Sequence, residues 1–384
     1  MDTTRDLAAR DTAHADGVVL VTGATGLLGS ELVRRWTTAP VSPRIAVLVR
    51  DRARWDAVAR RLAIPHDAVV ALEGDVTHEA LGLGPIERTW LATNATAMVH
   101  LAADTTFSRS LDQARHVNRD GTAHLLALAA DCPRITRVAY VSTAFVAGRR
   151  RGVVPESAAG AATEQIGWVN GYEQSKAEAE SLLRGARRDW VILRSSTIGC
   201  DATSGVVTQR NAVHQALRLF HDGLAAMIPG VAESALDVVP ADYVSDAIAR
   251  LALRDGVDGE TVHLCAGTGA MPLGELLSEC HARWATDPAW RRRGIALPSQ
   301  ADLETWALFT DAVEQTGHPR LRRVTRAISH FLPQLALPKR FETQRAAALL
   351  GVEPAPVCEY WGRMLDHLLS TAWRGVSALA ESAA

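Results

Sequence analysis

The chain has 384 residues, of which 47% are hydrophobic, and its formal net charge at pH 7 is −2. This apolar content is ample for the core of one large domain or of two intimate ones. The near-neutral charge removes any general electrostatic case for nucleic acid or an anionic membrane surface as a partner. No uninterrupted apolar run approaches the ~20 residues that span a bilayer.

Residues 1–16 are polar and charged and lack the apolar core of a signal peptide, so we expect a flexible tail. The five cysteines form no C-x-x-C pair and no cluster with histidine at zinc spacing; they are Cys132, Cys200, Cys265, Cys280 and Cys358. They predict reduced, mostly buried thiols of a cytoplasmic protein. The histidines show no metal-binding spacing, so no metal is predicted.

Strand-like and helix-like segments alternate through the first half of the chain. Strands are predicted at Val18–Thr22, Ile45–Val49, Val69–Glu73, Ala97–Leu101, Val138–Ser142 and Trp190–Leu193. Helices are predicted between them, at Leu27–Thr37, Arg54–Leu62, Glu87–Asn94, Leu111–Asp131 and Tyr172–Arg187. This alternation predicts an α/β fold with a doubly wound parallel sheet of the Rossmann type.

The alternation ends after Arg194. The elements predicted beyond it are a helix at Asn211–Gly223, a helix at Ala241–Leu253, a short strand at Thr261–Cys265 and a mainly helical region from about His281. We therefore predict a sheet domain over residues 17–194. A smaller, mainly helical substrate-binding lobe is predicted over residues 195–384, with some elements returning to the sheet.

The first strand runs directly into glycines spaced three apart and then into a helical pattern. The motif is Thr22-Gly-x-x-Gly-x-x-Gly29. Such glycines allow a tight turn and a close approach of the backbone to a ligand, and the helix N-terminus offers N–H groups and a positive dipole end to an anion. The motif predicts a cradle for a pyrophosphate, formed by Gly23, Thr25, Gly26, Leu27, Leu28 and Gly29.

A second motif places Tyr172 and Lys176 four residues apart, on one face of a helix. A free phenol has a pKa of about 10. A positive charge ~4 Å away, at an effective dielectric near 20, is worth about 4 kcal/mol in favour of the ionised phenol, before desolvation is subtracted. Together with the glycine motif, the pair predicts a nicotinamide-dependent oxidoreductase. The alternative is a tyrosine packed in the core and a lysine on a solvated face.

Further motifs follow in a characteristic order: Gly74-Asp75-Val76, His100-Leu-Ala102-Ala103, Val117-Asn118-x-x-Gly-Thr122, Val141-Ser-Thr-Ala-Phe-Val146 and Asp237-Val-Val-Pro-x-Asp-Tyr-Val244. With them, the chain resembles an extended short-chain dehydrogenase/reductase. The similar branch is the male-sterility-type one, which contains fatty acyl reductases and the terminal thioester-reductase domains of carboxylic acid reductases and of peptide or polyketide synthases. The resemblance covers roughly Gly17 to Leu277.

The resemblance implies roles for individual residues. Thr143 takes the place of the catalytic Ser/Thr, with Ser142 as the alternative, beside Tyr172 as the acid. Lys176 would also bind the nicotinamide ribose. The other cofactor contacts that it implies are Asp75 and Val76 near the adenine, Ala102 and Ala103 under the cofactor, Asn118 and Ser196. Asn118 supports the active-site helix or a water relay in relatives, or it only satisfies backbone groups.

One departure from the branch follows the sixth strand. The branch usually has Arg-Pro-Ser there, whereas this chain has Arg194-Ser195-Ser196. Without the proline we expect a less rigid loop. Because this neighbourhood meets the nicotinamide amide in relatives, the cofactor contacts here are open.

The end of the second predicted strand bears on the choice of cofactor. An acidic residue about 20 positions beyond the glycines binds the ribose of NAD, whereas an arginine accommodates the 2′-phosphate of NADP. Arg50 stands 21 residues after Gly29, so NADPH is predicted over NADH. The family pattern adds a basic residue one helix later, here Arg60 or Arg61. Asp51 keeps NADH as the alternative.

These inferences predict an NADPH-dependent reductase of an activated acyl group, a thioester on CoA or on a carrier protein, giving an aldehyde with the alcohol as a further end point. The rival enzymes are an epimerase, a dehydratase or a hydroxysteroid-type dehydrogenase of the same superfamily. A rival of another class is a non-catalytic redox-sensing protein. Acyl chain length and oligomeric state stay open.

Two regions are candidates for contact with the acyl substrate or its carrier. The arginine triplet Arg149–Arg151 is a candidate contact for CoA phosphates or an acidic carrier protein, or a solvated loop. An apolar channel is expected to be lined by Phe220, Leu224, Met227 and Ile228, unless these side chains are ordinary core.

Overall fold

The computed structural model describes residues 17–317 and 319–373. The predicted tail, residues 1–16, lies outside the described residues. The chain folds into two compact units that are interleaved in sequence. Among the described residues, the first combines 17–143 with Gln174–Arg194 and Val244–Val262, and the second combines Ala144–Glu173, Ser195–Tyr243 and 263–373 without residue 318.

The strands are β1 (Val18–Thr22), β2 (Arg44–Val49), β3 (Val69–Glu73), β4 (Ala95–His100), β5 (Arg137–Thr143), β6 (Gly152–Val154), β7 (Asp189–Ser195), β8 (Thr197–Ile198), β9 (Met227–Pro229), β10 (Ala235–Leu236), β11 (Val238–Val239), β12 (Glu260–Leu264), β13 (Met271–Pro272), β14 (Ser299–Ala301) and β15 (Lys339–Phe341). The longer strands belong to one sheet, and the short ones form separate pairs.

The helices are α1 (Leu27–Thr38), α2 (Arg52–Arg61), α3 (Pro85–Asn94), α4 (Leu111–Asn118), α5 (Asp120–Asp131), α6 (Gly171–Arg184), α7 (Ala212–His221), α8 (Ala241–Leu251), α9 (Leu273–Trp284), α10 (Pro288–Arg291), α11 (Leu303–Thr316), α12 (Pro319–Ser329), α13 (Gln344–Leu350) and α14 (Val357–Ser370). No helix in the described part of the chain is both long and apolar enough to cross a membrane.

The first unit is built on a seven-stranded sheet in the order β12-β7-β5-β4-β1-β2-β3. The pairs β1–β2, β2–β3, β1–β4 and β4–β5 are parallel. All five residues of β1 are buried, as expected for a strand covered by helices on both faces. Strand order reverses at β1, so a crevice for a ligand is expected at its carboxyl end. The predicted Rossmann-type fold is confirmed.

The sequence places most of the first unit correctly. The six predicted strands match observed strands to within two residues at each end. The predicted helix Leu111–Asp131 is interrupted at one residue, Arg119, which separates α4 from α5 but keeps helical backbone angles. At this point the Thr122 hydroxyl donates to the Asn118 carbonyl four residues earlier, an interaction that bends helices.

The second unit has its own hydrophobic core. Phe220 packs edge-on against Trp284 at 5.0 Å between ring centroids, and the Tyr360 hydroxyl donates to the Val238 carbonyl at 2.7 Å. Phe220 and Ile228, predicted to line an apolar channel, are buried members of this core, and Met227 packs against it. Burial of these apolar side chains against tryptophans explains the apolar pattern without a channel.

Backbone hydrogen bonds order the segment after β7, where the similar branch usually has a proline. In place of the proline, the two-residue strand β8 pairs with β11, where Thr197 meets Val238. Ser196 donates its backbone N–H to the Leu264 carbonyl at 3.3 Å and is buried. Backbone pairing therefore orders this segment without the proline, and its lower rigidity stays a prediction.

Candidate functional site

The glycine motif forms a tight turn between β1 and α1. Gly23 has a φ of +72°, and a Cβ there would lie 2.6 Å from the Ala102 backbone nitrogen. A Cβ on Gly29 would lie 2.3 Å from the Gly23 carbonyl oxygen. Both positions therefore require glycine, because any side chain would push the turn away from the chain that follows β4 or lift α1 from the turn.

The N-terminus of α1 offers backbone donors to an anion. Gly26 is the N-cap and provides no side-chain cap, and its carbonyl accepts the first intrahelical bond, from Ser30. The N–H groups of Leu27, Leu28 and Gly29 precede that bond and have no acceptor within the helix. Thr25 lies in the turn just before them. This geometry fits the predicted pyrophosphate cradle.

The carboxyl ends of β2 and β3 carry the residues predicted to select the cofactor. Arg50 directly follows β2 and is exposed. The Asp51 carboxylate caps α2 by accepting the Arg54 backbone N–H at 3.0 Å. Asp51 is thus partly occupied with a structural role, which favours Arg50 as the residue that meets a ribose substituent. Arg60 and Arg61 lie, exposed, in the last turn of α2.

The segment after β3 is held by its own carboxylate. One oxygen of Asp75 accepts both the backbone N–H of Thr77, at 2.9 Å, and its hydroxyl, at 3.0 Å. The next residue, Val76, is buried. The Val76 carbonyl also meets the His124 ring nitrogen at 2.9 Å. Asp75 and Val76 are therefore fixed at the edge of the sheet where β1 ends.

A buried histidine connects the glycine turn to the chain after β4. His100 Nδ1 lies 2.6 Å from the Thr22 hydroxyl, and Nε2 lies 3.2 Å from the Thr122 hydroxyl. Thr22 accepts the Ala102 N–H at 3.2 Å, so its own proton goes to Nδ1. Thr122 donates to Asn118, so Nε2 carries the histidine proton. Burial, followed by the nearby Lys176, lowers the pKa of His100 to about 3, which keeps the ring neutral.

Asn118 continues this network to the catalytic helix predicted from the sequence. Its side-chain oxygen accepts the Asp104 N–H at 2.8 Å, and its amide nitrogen donates to the Asp104 carbonyl at 3.0 Å and to the Ser175 hydroxyl at 2.9 Å. Asn118 thus fixes the chain just beyond Ala102 and Ala103. It also reaches α6 next to Lys176. Both predicted roles have direct contacts, because two of these bonds satisfy the Asp104 backbone and one supports α6.

Lys176 is a buried ammonium beneath the end of β5. Its Nζ donates to the Val141 carbonyl at 2.8 Å and lies 4.0 Å from the centroid of the Tyr140 ring. Burial lowers the pKa of Lys176 to about 7, and the Glu180 carboxylate opposes this shift. The solvated lysine of the alternative interpretation is excluded. The sequence-based prediction assumed a constant positive charge on Lys176. With a pKa of about 7, that charge depends on pH in the neutral range.

Tyr172 lies one turn before Lys176 on α6 and is 8% exposed. Thr143 is the last residue of β5 and is 4% exposed. Its neighbour Ser142 falls outside hydrogen-bond geometry with any described residue, yet it lies close enough to Glu180 to help lower the pKa of that carboxyl group. Successive strand residues face opposite sides, which favours Thr143 over Ser142 as the catalytic hydroxyl.

A buried ion pair that was not predicted from the sequence fixes α6 to β7. Arg194 donates to both carboxylate oxygens of Glu180, at 2.9 and 2.7 Å, and both side chains are fully buried. Arg184 adds a third bond at 2.8 Å. Because Glu180 lies one turn beyond Lys176, this pair fixes the helix that carries the lysine. The signal was an arginine closing an apolar strand, which requires a buried carboxylate.

Ser196 lies in the second unit beside a buried carboxylate. Asp237 accepts the N–H groups of Ala266 and Gly267 at 2.8 and 2.9 Å. Burial raises the pKa of Asp237, and Ser196 is the first of the hydrogen-bonding groups that oppose this shift. The Ser196 hydroxyl thus lies beside the Asp237 carboxylate, which binds the backbone at Ala266 and Gly267. The cofactor contact predicted for Ser196 stays a prediction.

The arginine triplet is only partly exposed. Arg150 donates twice to the Ala161 carbonyl, at 3.2 and 3.0 Å, and Arg149 donates to the Trp168 carbonyl at 3.1 Å. Arg151 is exposed. Among residues 17–317 and 319–373, no group of three or more histidine, cysteine or acidic side chains is arranged to hold a metal ion.

Comparison with known proteins identifies the family. The Male sterility protein family, an NAD-binding family, matches residues 21–248, which is more than half of the chain. This chain belongs to that family. The resemblance to the extended short-chain dehydrogenases/reductases is therefore confirmed, and the chain has an NAD(P)-binding fold.

Several relatives are synthetases, and this chain matches a part of each. The chain is 26% identical over 292 residues to the non-canonical nonribosomal peptide synthetase cpsA of Aspergillus campestris, a match that covers 69% of this chain and 27% of that protein. It is 34% identical over 173 residues to the hybrid PKS-NRPS synthetase mpsA of Macrophomina phaseolina, covering 44% of this chain and 4% of that protein. The chain thus spans about a quarter or less of the length of these relatives.

Solved structures share the fold over nearly the whole chain. The terminal R domain from the myxalamid PKS-NRPS biosynthetic pathway superimposes with a TM-score of 0.75 at 22% identity, covering 97% of this chain and 99% of that one. A thiolation-reductase di-domain from an archaeal nonribosomal peptide synthetase gives 0.69 at 18% identity, covering 97% and 80%. UDP-glucuronic acid 4-epimerase from Bacillus cereus, in complex with NAD, gives 0.63 at 14% identity, covering 93% and 100%. The fold therefore occurs in both predicted classes of enzyme.

Proposed function

We propose that this chain is an NADPH-dependent oxidoreductase that reduces an acyl thioester to an aldehyde, with the alcohol as a further end point. The observation that carries the proposal is the buried Lys176 ammonium, held at the Val141 carbonyl one helical turn after Tyr172. Membership of the Male sterility protein family and similarity to synthetases and to a terminal R domain favour the thioester over a sugar nucleotide.

The residues of the first unit fit a dinucleotide. The backbone donors of Leu27, Leu28 and Gly29 would hold its pyrophosphate, Asp75 its adenine, and Arg50 its 2′-phosphate. When bound, the reduced nicotinamide supplies the hydride for the carbonyl carbon. The engagement of Asp51 in capping α2 supports NADPH, and Lys176 would bind the nicotinamide ribose.

Arg50 provides a test of the cofactor choice. We expect Arg50→Ala to reduce NADPH affinity by about 1.5–3 kcal/mol and NADH affinity far less, because only NADPH offers a phosphate to the guanidinium. Arg44→Ala is the matched control, since Arg44 begins the same strand that Arg50 follows, about 20 Å away at 3.3 Å per residue. Equal losses for both nucleotides in Arg50→Ala would return the cofactor choice to open.

The chain's own groups act on the substrate oxygen. We propose that the hydroxyls of Thr143 and Tyr172 donate hydrogen bonds to the carbonyl oxygen and stabilise the negative charge that develops on it. Tyr172 then gives its proton to that oxygen. Lys176 favours proton loss from the phenol most strongly well below pH 7, because its amine becomes fully charged only as the pH falls below its pKa of about 7. The hemithioacetal formed from a thioester breaks its C–S bond to release the thiol and the aldehyde.

A carrier protein is the proposed partner, with CoA as the alternative. The archaeal structure with the same fold is itself a thiolation-reductase di-domain, and Arg149 and Arg151, the exposed arginines of the triplet, would meet an acidic surface. The cytoplasmic location predicted from the cysteines stays a prediction.

The deciding experiment mixes the purified chain with NADPH and a series of acyl thioesters of increasing chain length. Each acyl group is presented on CoA and on a phosphopantetheinyl carrier protein. We expect loss of nicotinamide absorbance and formation of aldehyde with thioesters, and none with UDP-sugars. Epimerisation of a UDP-sugar without net NADPH oxidation, or inactivity on every thioester, would refute the proposal.

A further inference from the structure

A buried glutamate next to Tyr172 takes no part in the proposed chemistry. Glu173 is 1% exposed and lies in the first turn of α6. Its carboxylate accepts the Val169 N–H at 3.0 Å, and its own backbone N–H donates to the Asn170 side chain at 3.0 Å. These contacts resemble a capping box, in which a glutamate bonds backward to the residues before the helix. A cap alone can lie in solvent, so its burial requires another reason.

The same carboxylate is reached by a segment far along the chain. The Gln334 side chain donates to Glu173 at 2.6 Å. The side-chain amide oxygen of Gln334 accepts from the Lys339 ammonium, which also donates to the Gly148 backbone carbonyl at 2.8 Å. A separate hydrogen bond connects the same two segments: the Asn170 side chain donates to the His330 backbone carbonyl at 3.0 Å. Residues 330–339 are thereby joined to the start of α6.

These hydrogen bonds form a line from Gly148 through Lys339 and Gln334 to Glu173. Each end of the line lies in a segment that follows one of the proposed catalytic residues along the chain. Gly148 stands just beyond the turn Ala144–Ala147 that continues from Thr143. Glu173 directly follows Tyr172. The backbone N–H of Arg149 also donates to the Gly167 carbonyl at 3.0 Å. The line from Gly148 through Lys339 and Gln334 to Glu173 thus connects the loop after β5 to the first turn of α6.

Burial of the Glu173 carboxylate and the Lys339 ammonium carries a desolvation penalty. Burial raises the pKa of Glu173 to about 7, against the N–H of Val169, Gln334, Lys339 and Arg149. Burial also lowers the pKa of Lys339 to about 8, opposed by Glu173 and reinforced by Arg151. A carboxylate and an ammonium separated by a glutamine recover less of their desolvation penalty than a direct pair, and apolar residues would fill the same space at lower cost. Such groups are best explained by the geometry that they impose.

We propose that Glu173, Gln334 and Lys339 form a positioning relay that fixes the first turn of α6, and with it Tyr172, relative to the loop after β5. None of the three touches the substrate in this account, so they are positioning residues and act through Tyr172. This inference rests on the proposed function for its kinetic consequence, but not for its effect on the helix.

The relay is tested with Lys339→Met and Gln334→Met in the full chain. Arg363→Met is the matched control, because Arg363 also holds a carbonyl in the second unit, donating to Ala202 at 3.1 and 2.7 Å. We expect each relay variant to lose at least about tenfold in kcat, with KM and NADPH affinity within about twofold. Because both residues belong to one line, the double variant should lose no more than the worse single variant.

A double-mutant cycle with Tyr172→Phe separates positioning from general loss of structure. If the relay acts through Tyr172, Lys339→Met should reduce the residual rate of Tyr172→Phe by less than about twofold. An equal loss in both backgrounds, or loss of NADPH affinity in parallel with kcat, would overturn the proposal. If Lys339→Met does not fold, Gln334→Met decides the question, because Gln334 is only half-buried.

Hydrogen exchange gives a readout that does not depend on the reaction. We expect faster exchange of the amides at 169–175 in both relay variants and unchanged exchange there in Arg363→Met. If the wild-type chain reduces no thioester, the proposed function fails, and the relay stands or falls on this exchange difference. If the wild-type chain is active, and the relay variants match it in kcat and in exchange, the relay is refuted and the proposed function is not.

Discussion

Two buried glutamates lie two turns apart on α6, and their pKa values shift in opposite directions. Burial raises both. For Glu180, direct contact with Arg194 and then Arg184 reverses the effect and brings the pKa to about 2. For Glu173, the Gln334 side chain stands between the carboxylate and the Lys339 ammonium, and burial raises the pKa to about 7. Direct contact with a cation, not burial, therefore decides whether each carboxylate is charged at neutral pH.

The difference shows how one helix is held in two ways. The Glu180–Arg194 pair keeps its charge through the physiological range and anchors the part of α6 that carries Lys176. The Glu173 network joins hydrogen bonds from several segments around a carboxylate that exchanges its proton near pH 7. The first arrangement suits a permanent anchor. The second suits a position that must be exact in orientation at the start of the helix.

Breaking the direct pair should have the largest effect on stability. Arg194→Met leaves Glu180 buried with only Arg184, and removal of one partner of a buried pair typically costs about 3–5 kcal/mol. We expect a loss of this size in the unfolding free energy from urea titration. The double variant Arg194→Met/Glu180→Leu should recover most of it. A loss under about 1 kcal/mol in the single variant would show that the pair is no anchor.

A pH series should reveal the opposite signs of the two glutamates. An unfolded glutamate titrates near 4.5 and Glu173 near 7, so the folded state keeps a proton that the unfolded state loses, and stability falls as pH rises between these values. At about 1.4 kcal/mol per pKa unit, the whole change is on the order of 3 kcal/mol. Glu173→Gln should remove this fall when unfolding is measured at pH 5 and pH 7.5.

Glu180 provides the counterpart of that measurement. Its folded pKa lies below 4.5, so the stability that it contributes is present above pH 4.5 and is lost as pH falls toward 2. Relative to wild type, Glu180→Gln should therefore be least stable above pH 4.5 and approach wild type on acidification. Curves of the same sign for both glutamine variants would contradict the contrast between the two sites.

The smallest effect is expected from the outer partner of Glu180. Arg184 binds the same carboxylate from a side chain that is 21% exposed, one helical turn away. Pairs of this kind contribute about 0.2–1 kcal/mol. Arg184→Met should lower the unfolding free energy by no more than about 1 kcal/mol in the same urea titration. A loss as large as that of Arg194→Met would mean that exposure does not distinguish the two arginines.

The sheet and the glycine turn were predictable because their signals are local. Apolar runs mark the strands, and the spacing of Gly23, Gly26 and Gly29 fixes the turn within seven residues. The position of Lys176 relative to Tyr172 follows from helical periodicity alone. Burial of Lys176, and the fall of its pKa to about 7, could not be predicted from that spacing, because they depend on packing under β5.

The relay was missed because its parts are far apart in sequence and carry no motif. Gln334 lies 161 residues beyond Glu173, in a region predicted only as mainly helical. For Phe220 the sequence left two interpretations open, because an apolar pattern is the same for a core and for a channel. Glu180 was within reach, because it continues the spacing of four from Tyr172 and Lys176, and Arg194 required a buried partner.

The central claim is that a thioester is reduced with Tyr172 as the proton donor. It is tested most directly by Tyr172→Phe, assayed beside wild type for NADPH oxidation with the best acyl thioester and for NADPH affinity. We expect a loss of at least ~10²-fold in kcat, the scale of one general acid, with NADPH affinity preserved because Lys176 and the glycine turn are intact. Turnover like that of wild type in Tyr172→Phe would contradict it.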